Sequence, residues 1–469
     1  MDFQKLFIDG AYIPSTSAEF IEVINPVTEE RIGRVPKANK EDLDKAVKAA
    51  GTAFDSYKKM DLVDRIEIME NFLAFLIQHR REVVDLIVEE LGSPRFFTEK
   101  VHFDYYMEEV RKSIDIVRSY SFEREEDETM IVKEPVGVVG ALTPWNYPLG
   151  QILQKIVFAL LVGNTVILKP SRQTPLVAYY VAEGLKQAGL PKGVFNLLTG
   201  VGSDLGLALA MHPGVDLVSF TGSTKAGVEV GQGAMLGVKR VTLELGGKSP
   251  AIFLDRENMV EGIRSTLSSV MYNSGQTCSA WTRAIVLREL KDDFEKELVR
   301  QFGRFSVGLP EEEGIRVGPL VSVKQREKVL AYIEEGKKTA RVLVEHKQTL
   351  PDKGYFVHPI IFADVDNRSA LAQDEIFGPV LAIIYVDNEE EAVRVANDSI
   401  YGLSGAVFGA RERALAVARE IRTGSITVNQ ASGRAGMPFG GYKMSGIGRE
   451  GGVEGLEEFL ETKVISIQK

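Results

Sequence analysis

The chain has a single cysteine, Cys278, among 469 residues. An internal disulfide is therefore excluded, and two readings of the residue stand: a small buried hydrophobe, as free cysteines often are, or a reactive thiol. Histidine is almost as scarce, with five (His79, His102, His212, His346 and His358) and none at HExxH spacing, so no protein-built metal site is expected. A basic excess is missing too. Lys and Arg number 56 against 66 Asp and Glu, a formal charge of −10, which argues against a nucleic-acid partner. The most apolar run, 152–168, is broken by Gln154, Lys155, Gly163 and Asn164 and falls short of the roughly 20 residues that a membrane helix needs. Met1-Asp2-Phe3-Gln4-Lys5 offers no apolar core of a secretory signal, so a cytoplasmic protein is expected. Demanding chemistry would have to come from a borrowed organic cofactor.

What is present is an ordinary globular composition, 44% hydrophobic and 26% charged, long enough for two or three domains. Residues 40–57 and 64–91 carry apolar side chains at helical spacing. Residues 121–132 begin acidic and turn β-like at Met130-Ile131-Val132, which predicts a hairpin arm. From 136 onward, apolar strands (136–142, 165–170, 194–198, 217–221) alternate with helical stretches (150–161, 175–188, 203–212). That alternation predicts right-handed βαβ units in a doubly wound sheet, with ligands at the carboxyl ends of its strands. A second series follows Gly246-Gly247: strands at 249–254, 284–287, 355–362 and 380–385, with helices at 259–273 and 290–301. Residues 463–467 alternate like an edge strand.

Four loops at predicted strand ends carry candidate chemistry, each beside a plainer alternative. Gly222-Ser223-Thr224-Lys225-Ala226-Gly227 suits a pyrophosphate, or is an unliganded strand-to-helix turn. Lys169 and Arg172 flank one crevice and suit phosphate or ribose oxygens, or are solvated cations. Asn146, between Pro144 and Pro148, suits an oxyanion donor, or is a turn residue. Glu244, between leucines, suits a general base of raised pKa, or is an exposed strand-end glutamate.

Together these pieces resemble the aldehyde dehydrogenase superfamily. The matching motifs are Thr143-Pro144-Trp145-Asn146-Tyr147-Pro148, Lys169-Pro170-Ser171, Phe220-Thr221-Gly222-Ser223, Leu243-Glu244-Leu245-Gly246-Gly247-Lys248, Gly275-Gln276-Thr277-Cys278, Glu375-Ile376-Phe377-Gly378-Pro379 and Pro438-Phe439-Gly440-Gly441-Tyr442-Lys443. They stand in the family's order across nearly the whole chain.

The resemblance implies an α/β protein: a variant Rossmann dinucleotide-binding domain (1–117 and 137–246), an α/β catalytic domain (247–444) and a small β oligomerisation arm (118–136 and 445–469). It implies a low-pKa Cys278 thiolate as nucleophile, Asn146 with the Cys278 backbone N–H as oxyanion donors, Glu244 as the base for hydrolytic water, and Lys155 with Glu450 as a proton relay. Thr143, Pro144, Trp145, Lys169, Ser171, Arg172, Phe220, Thr221, Gly222, Ser223, Leu245, Gly246, Glu375 and Phe377 would bind NAD or NADP. Arg172 replaces a glutamate common in NAD-preferring members, so NADP use is expected. Gly150, Gln151 and Gln154 suggest a roomy or polar substrate tunnel, without the tryptophan that would favour betaine aldehyde. Arg434 is a candidate contact for a carboxylated aldehyde. A homodimer or homotetramer is expected. The competing readings are a CoA-acylating relative, which Glu244 disfavours, and a catalytically silent protein on the same fold.

Overall fold

The computed structural model describes residues 2–430 and 434–467. Two mainly parallel sheets form its two halves. The first runs, in spatial order, Ala11–Ile13, Leu6–Ile8, Phe195–Leu197, Thr165–Lys169, Val138–Leu142, Leu217–Thr221, Arg240–Glu244 and Gly446–Ile447. Its five central strands are parallel and the outer ones antiparallel. The second runs Arg341–Glu345, Ile360–Ala363, Val380–Val386, Arg283–Leu287, Pro250–Phe253, Ala406–Phe408 and Thr427–Val428, with only its first pair antiparallel. The central strands Val138–Leu142, Thr165–Lys169 and Val380–Val386 are buried along their whole length, as strands covered by helices on both faces must be.

The predicted helix at 40–57 is found as Lys40–Tyr57, closed at its start by a reciprocal Asn39–Asp42 capping box and burying Leu43, Ala46, Val47 and Ala50. The stretch 64–91 is two helices, Leu62–Gln78 and Arg80–Leu91. They part at His79, where the Phe75 carbonyl receives both the His79 backbone N–H and its ring nitrogen. The helix expected at 203–212 opens as a π-turn, Gly202–Gly206, before Leu207–Met211. A second π-helical segment, Thr98–Tyr105, was not legible in the sequence.

The hairpin Glu123–Glu126 and Thr129–Pro135 pairs with Leu460–Ser466 in a three-stranded antiparallel ribbon whose last strand lies at an edge, exposed from Glu461 onward. Before that strand, Gly446–Ile447 closes the first sheet, and Leu456 of the helix Gly452–Glu457 packs into that sheet's core with Phe459 and Leu460. Among the described residues, no helix is long and apolar enough to cross a membrane.

Candidate active site

Along the first sheet, the order of the five parallel strands reverses between Val138–Leu142 and Leu217–Thr221. A crevice of about 710 Å³ lies there, at their carboxyl ends. Thr143, Trp145, Lys169, Ser171, Arg172 and Phe220 line it as expected. Gly222 and Ser223 do not. Ser223 is spent on capping the helix Thr224–Met235, and that helix reaches the crevice through Ala226, Glu229 and Val230. Lys169 is buried, and burial together with Arg172 lowers its pKa to about 8. Its Nζ donates to the Pro170 carbonyl at 3.0 Å, which leaves two N–H directions for ligand oxygens. Arg172 is exposed and forms no ion pair among the described residues. An apolar-walled crevice with a spare ammonium and a spare guanidinium fits a phosphate-bearing dinucleotide.

Cys278 follows a loop in which Asn273 (φ 52°), Ser274 (φ 57°) and Gly275 (φ 74°) are all left-handed. A Cβ on Gly275 would fall 2.2 Å from the Gly378 carbonyl, so only glycine fits. Side chains hold this strained turn. Asn273 Nδ2 donates to the Asn146 and Gln276 carbonyls (2.8 and 3.2 Å), Ser274 Oγ to Gly318 O (2.8 Å), and Gln276 Oε1 accepts from Val321 N (2.9 Å). Asn146 Nδ2 is 2.9 Å from Gln276 O, and Tyr147 Oη lies 2.8 Å from Thr277 Oγ1. The oxyanion candidate and the nucleophile candidate are therefore tied together across 130 residues of sequence. The Cys278 thiol is half-buried, and burial plus the charges of Glu375 and Glu244 push its pKa up, against the expected low-pKa thiolate.

Glu244 ends its strand buried, and neither carboxylate oxygen has a hydrogen-bond partner. Burial first, then the Glu450 carboxylate, raises its pKa well above the ordinary value, while Lys155 opposes them. Lys155 is buried rather than on a helix surface. Its Nζ is 2.6 Å from Glu450 Oε1 and 3.2 Å from Ser219 Oγ, and Glu450 Oε2 is left free. Glu375 accepts from Gly247 N at 3.1 Å and sits against Gly246, while Leu245 is buried in the core and covers Gly227. Phe377 has φ 63°, unusual for a bulky residue, and stands edge-on to Trp145 at 5.4 Å. Pro144 and Thr221 lie at the crevice margin outside its lining, Thr221 with a buried unpaired hydroxyl.

The expected roomy tunnel is not found beside Gly150. The ring of Tyr106 occupies that space, so that a Cβ on Gly150 would fall 2.0 Å from its Cζ. Sequence reasoning also missed Gly202, Ser203 and Gly206, and Lys324, Gln325 and Lys328 across the crevice. The run Gly200, Gly202, Gly206 was the available signal for the first group. Arg434 is exposed, and its neighbours Ser432 and Gly433 lie outside the described residues.

Four known relations of the chain bear on this site. The sequence profile of the aldehyde dehydrogenase family matches residues 12–465. A putative aldehyde dehydrogenase of Staphylococcus aureus strain COL is 42% identical over 469 residues, covering 99% of each chain. Among solved structures, a mutant of aldehyde dehydrogenase C from Pseudomonas syringae, complexed with NAD+ and octanal, superposes with TM-score 0.96 at 39% identity, covering 99% of this chain and 96% of that one. An aldehyde dehydrogenase of Mycobacterium tuberculosis complexed with NAD+ also gives 0.96, at 38% identity and 100% and 98% coverage.

Proposed function

The chain belongs to the aldehyde dehydrogenase family, and from that premise we propose that it oxidises an aldehyde to a carboxylic acid through a covalent intermediate on Cys278. Sulfur attacks the carbonyl carbon, and the Asn146 amide and the Cys278 backbone N–H receive the developing oxyanion. Because the resting thiol is held protonated, its proton leaves as the C–S bond forms. Glu244, a carboxylate without any hydrogen bond, is the acceptor in this reading. A bound NAD or NADP supplies the hydride acceptor. The thiol proton passes on to the Glu450–Lys155–Ser219 chain, and the restored Glu244 carboxylate then deprotonates the water that hydrolyses the thioester, the water's proton returning to the departing Cys278 thiolate. The observation that carries the reading is the bonding of Asn146 to the nucleophile loop beside a buried, unpaired Glu244.

Lys169, Thr143, Trp145, Ser171, Arg172 and Phe220 would hold the adenosine half of the dinucleotide, the first turn of the helix Thr224–Met235, which reaches the crevice at Ala226, its pyrophosphate, and Glu375 and Phe377 the nicotinamide half. The uncommitted Arg172 guanidinium favours acceptance of a 2′-phosphate, so NADP is used at least as well as NAD. The ribbon edge Leu460–Ser466 suits assembly into a homodimer or homotetramer. A panel of aldehydes assayed with both cofactors, with Cys278→Ala as blank, tests the whole. Glu244→Gln should form no acyl-enzyme burst, because both proton transfers pass through that carboxylate. Steady turnover by Cys278→Ala would refute the covalent reading.

A further inference from the structure

His102 has no place in that chemistry, yet it is wholly buried beside it. It lies in the π-helical segment Thr98–Tyr105, whose widened turn sets it against the nucleophile loop. Its ring stacks on Tyr147 (centroids 4.7 Å apart, planes at 28°) and meets Phe97 edge-on at 5.4 Å. Both ring nitrogens lack a hydrogen-bond partner among the described residues, and so does Asn273 Oδ1. The Asn273 side chain nevertheless faces the ring closely enough to oppose the effect of burial, which takes the imidazole pKa down to about 3. As packing alone this is a poor choice. A buried polar group left unpaired is destabilising, and phenylalanine would fill the same space without that penalty.

The two neighbours of His102 are the two anchors of the site. Tyr147 follows Asn146 in sequence and bonds Thr277, the residue before Cys278. Asn273 holds the Asn146 carbonyl and the Gln276 carbonyl from the left-handed turn. We propose that His102 is a positioning residue: an N–H directed at Asn273 Oδ1 and a ring face against Tyr147 together keep the oxyanion donor Asn146 in register with Cys278. Neither contact reaches substrate or cofactor, so the effect is exerted through the loop.

The inference rests on the roles given above to Cys278 and Asn146. Because Cys278 is the only thiol, the rate of alkylation by iodoacetamide reads the nucleophile loop alone. His102→Phe keeps the stacked ring and removes the donor, and His102→Gln restores a donor. For His102→Phe, kcat and the alkylation rate should each fall about tenfold as the polar face toward Asn273 is lost, with KM for NAD within about twofold of the parent and Tm undiminished. His102→Gln should recover most of kcat. An unimpaired His102→Phe overturns the proposal, as do equal losses in the two variants or losses that follow Tm and cofactor affinity. The two readings fail separately: a Cys278→Ala variant that turns over defeats the role of Cys278, whereas an inactive Cys278→Ala beside an unimpaired His102→Phe defeats this inference only.

Discussion

Lys155→Met and Glu450→Gln should move the acidic limb of the kcat profile in opposite directions. Glu244 must be ionised to act as a base, so activity rises with pH through its pKa, which burial and Glu450 raise and Lys155 lowers. Removing the cation should carry the limb to higher pH, and removing the Glu450 charge should carry it lower. Lys155 and Glu450 partly neutralise each other, so each single variant unmasks the remaining charge and the limb follows that charge. The Glu450 influence on Glu244 exceeds that of Lys155, so the double variant should sit slightly below the parent rather than at the sum of two large shifts. Each single variant also breaks an ion pair with side-chain exposures of 0% and 5%, at a cost of about 3–5 kcal/mol. At about 2.1 cal/mol/K per residue of unfolding entropy over 469 residues, that is a Tm loss of about 3–5 °C, largely recovered in the double variant. Stopped-flow and steady-state rates between pH 5 and 9, with scanning calorimetry, measure both. Limbs that move the same way, or stay put, would refute the coupling of this pair to Glu244.

Gly150→Ala should destabilise by about 1–3 kcal/mol, because its Cβ would enter the Tyr106 ring. Combined with Tyr106→Ala its loss of Tm should be less than additive, and combined with Tyr106→Phe, which keeps the ring, it should be additive. Glu90 is buried under the helix Val177–Gln187, accepts from Leu176 N and Val177 N, and has its pKa raised to about 8. The folded value lies above the unfolded one, near 4.5, so this group's contribution is fully present below about pH 4.5 and is lost as pH rises to about 8. Glu90→Gln should flatten the fall of Tm over that window, and an unchanged slope would assign the fall elsewhere. Arg172→Glu should lower kcat/KM for NADP at least tenfold relative to NAD, and an unaltered ratio would place its guanidinium in solvent.

The alternation of apolar strands with helical spacing was enough to place four parallel strands of each sheet, since long buried strands announce themselves as continuous Val, Ile and Leu, whereas the three-residue strand Ala406–Phe408, equally buried, gave too short a run to be read. Asn39 and Asp42 even mark the start of the helix Lys40–Tyr57. Less local facts were silent. A π-helix differs from an α-helix by one carbonyl's choice of donor, and nothing in Thr98–Tyr105 states that choice. The Lys155–Glu450 pair spans 295 residues, and family resemblance, not pattern, suggested it. Cys278 itself looked like a core residue or a thiolate, and the structure gives it half-burial at the active site, with burial first and the neighbouring carboxylates second holding it as the thiol. His102 was one more scarce histidine until the fold laid it on Tyr147.

The late arrival of Gly446–Ile447 and Glu450 in the first half has a consequence during synthesis. A growing chain can assemble the five parallel strands long before the ribosome reaches residue 446, but until then the Arg240–Glu244 strand has an open flank and Lys155 has no counter-ion. Domains commonly fold in the order in which they are made. This one has to wait. Its buried ammonium and its raw sheet edge stay exposed to solvent, or to a chaperone, through the translation of the entire second sheet, and the machinery around Glu244 is finished within the same few codons that lead into the ribbon strand Leu460–Ser466.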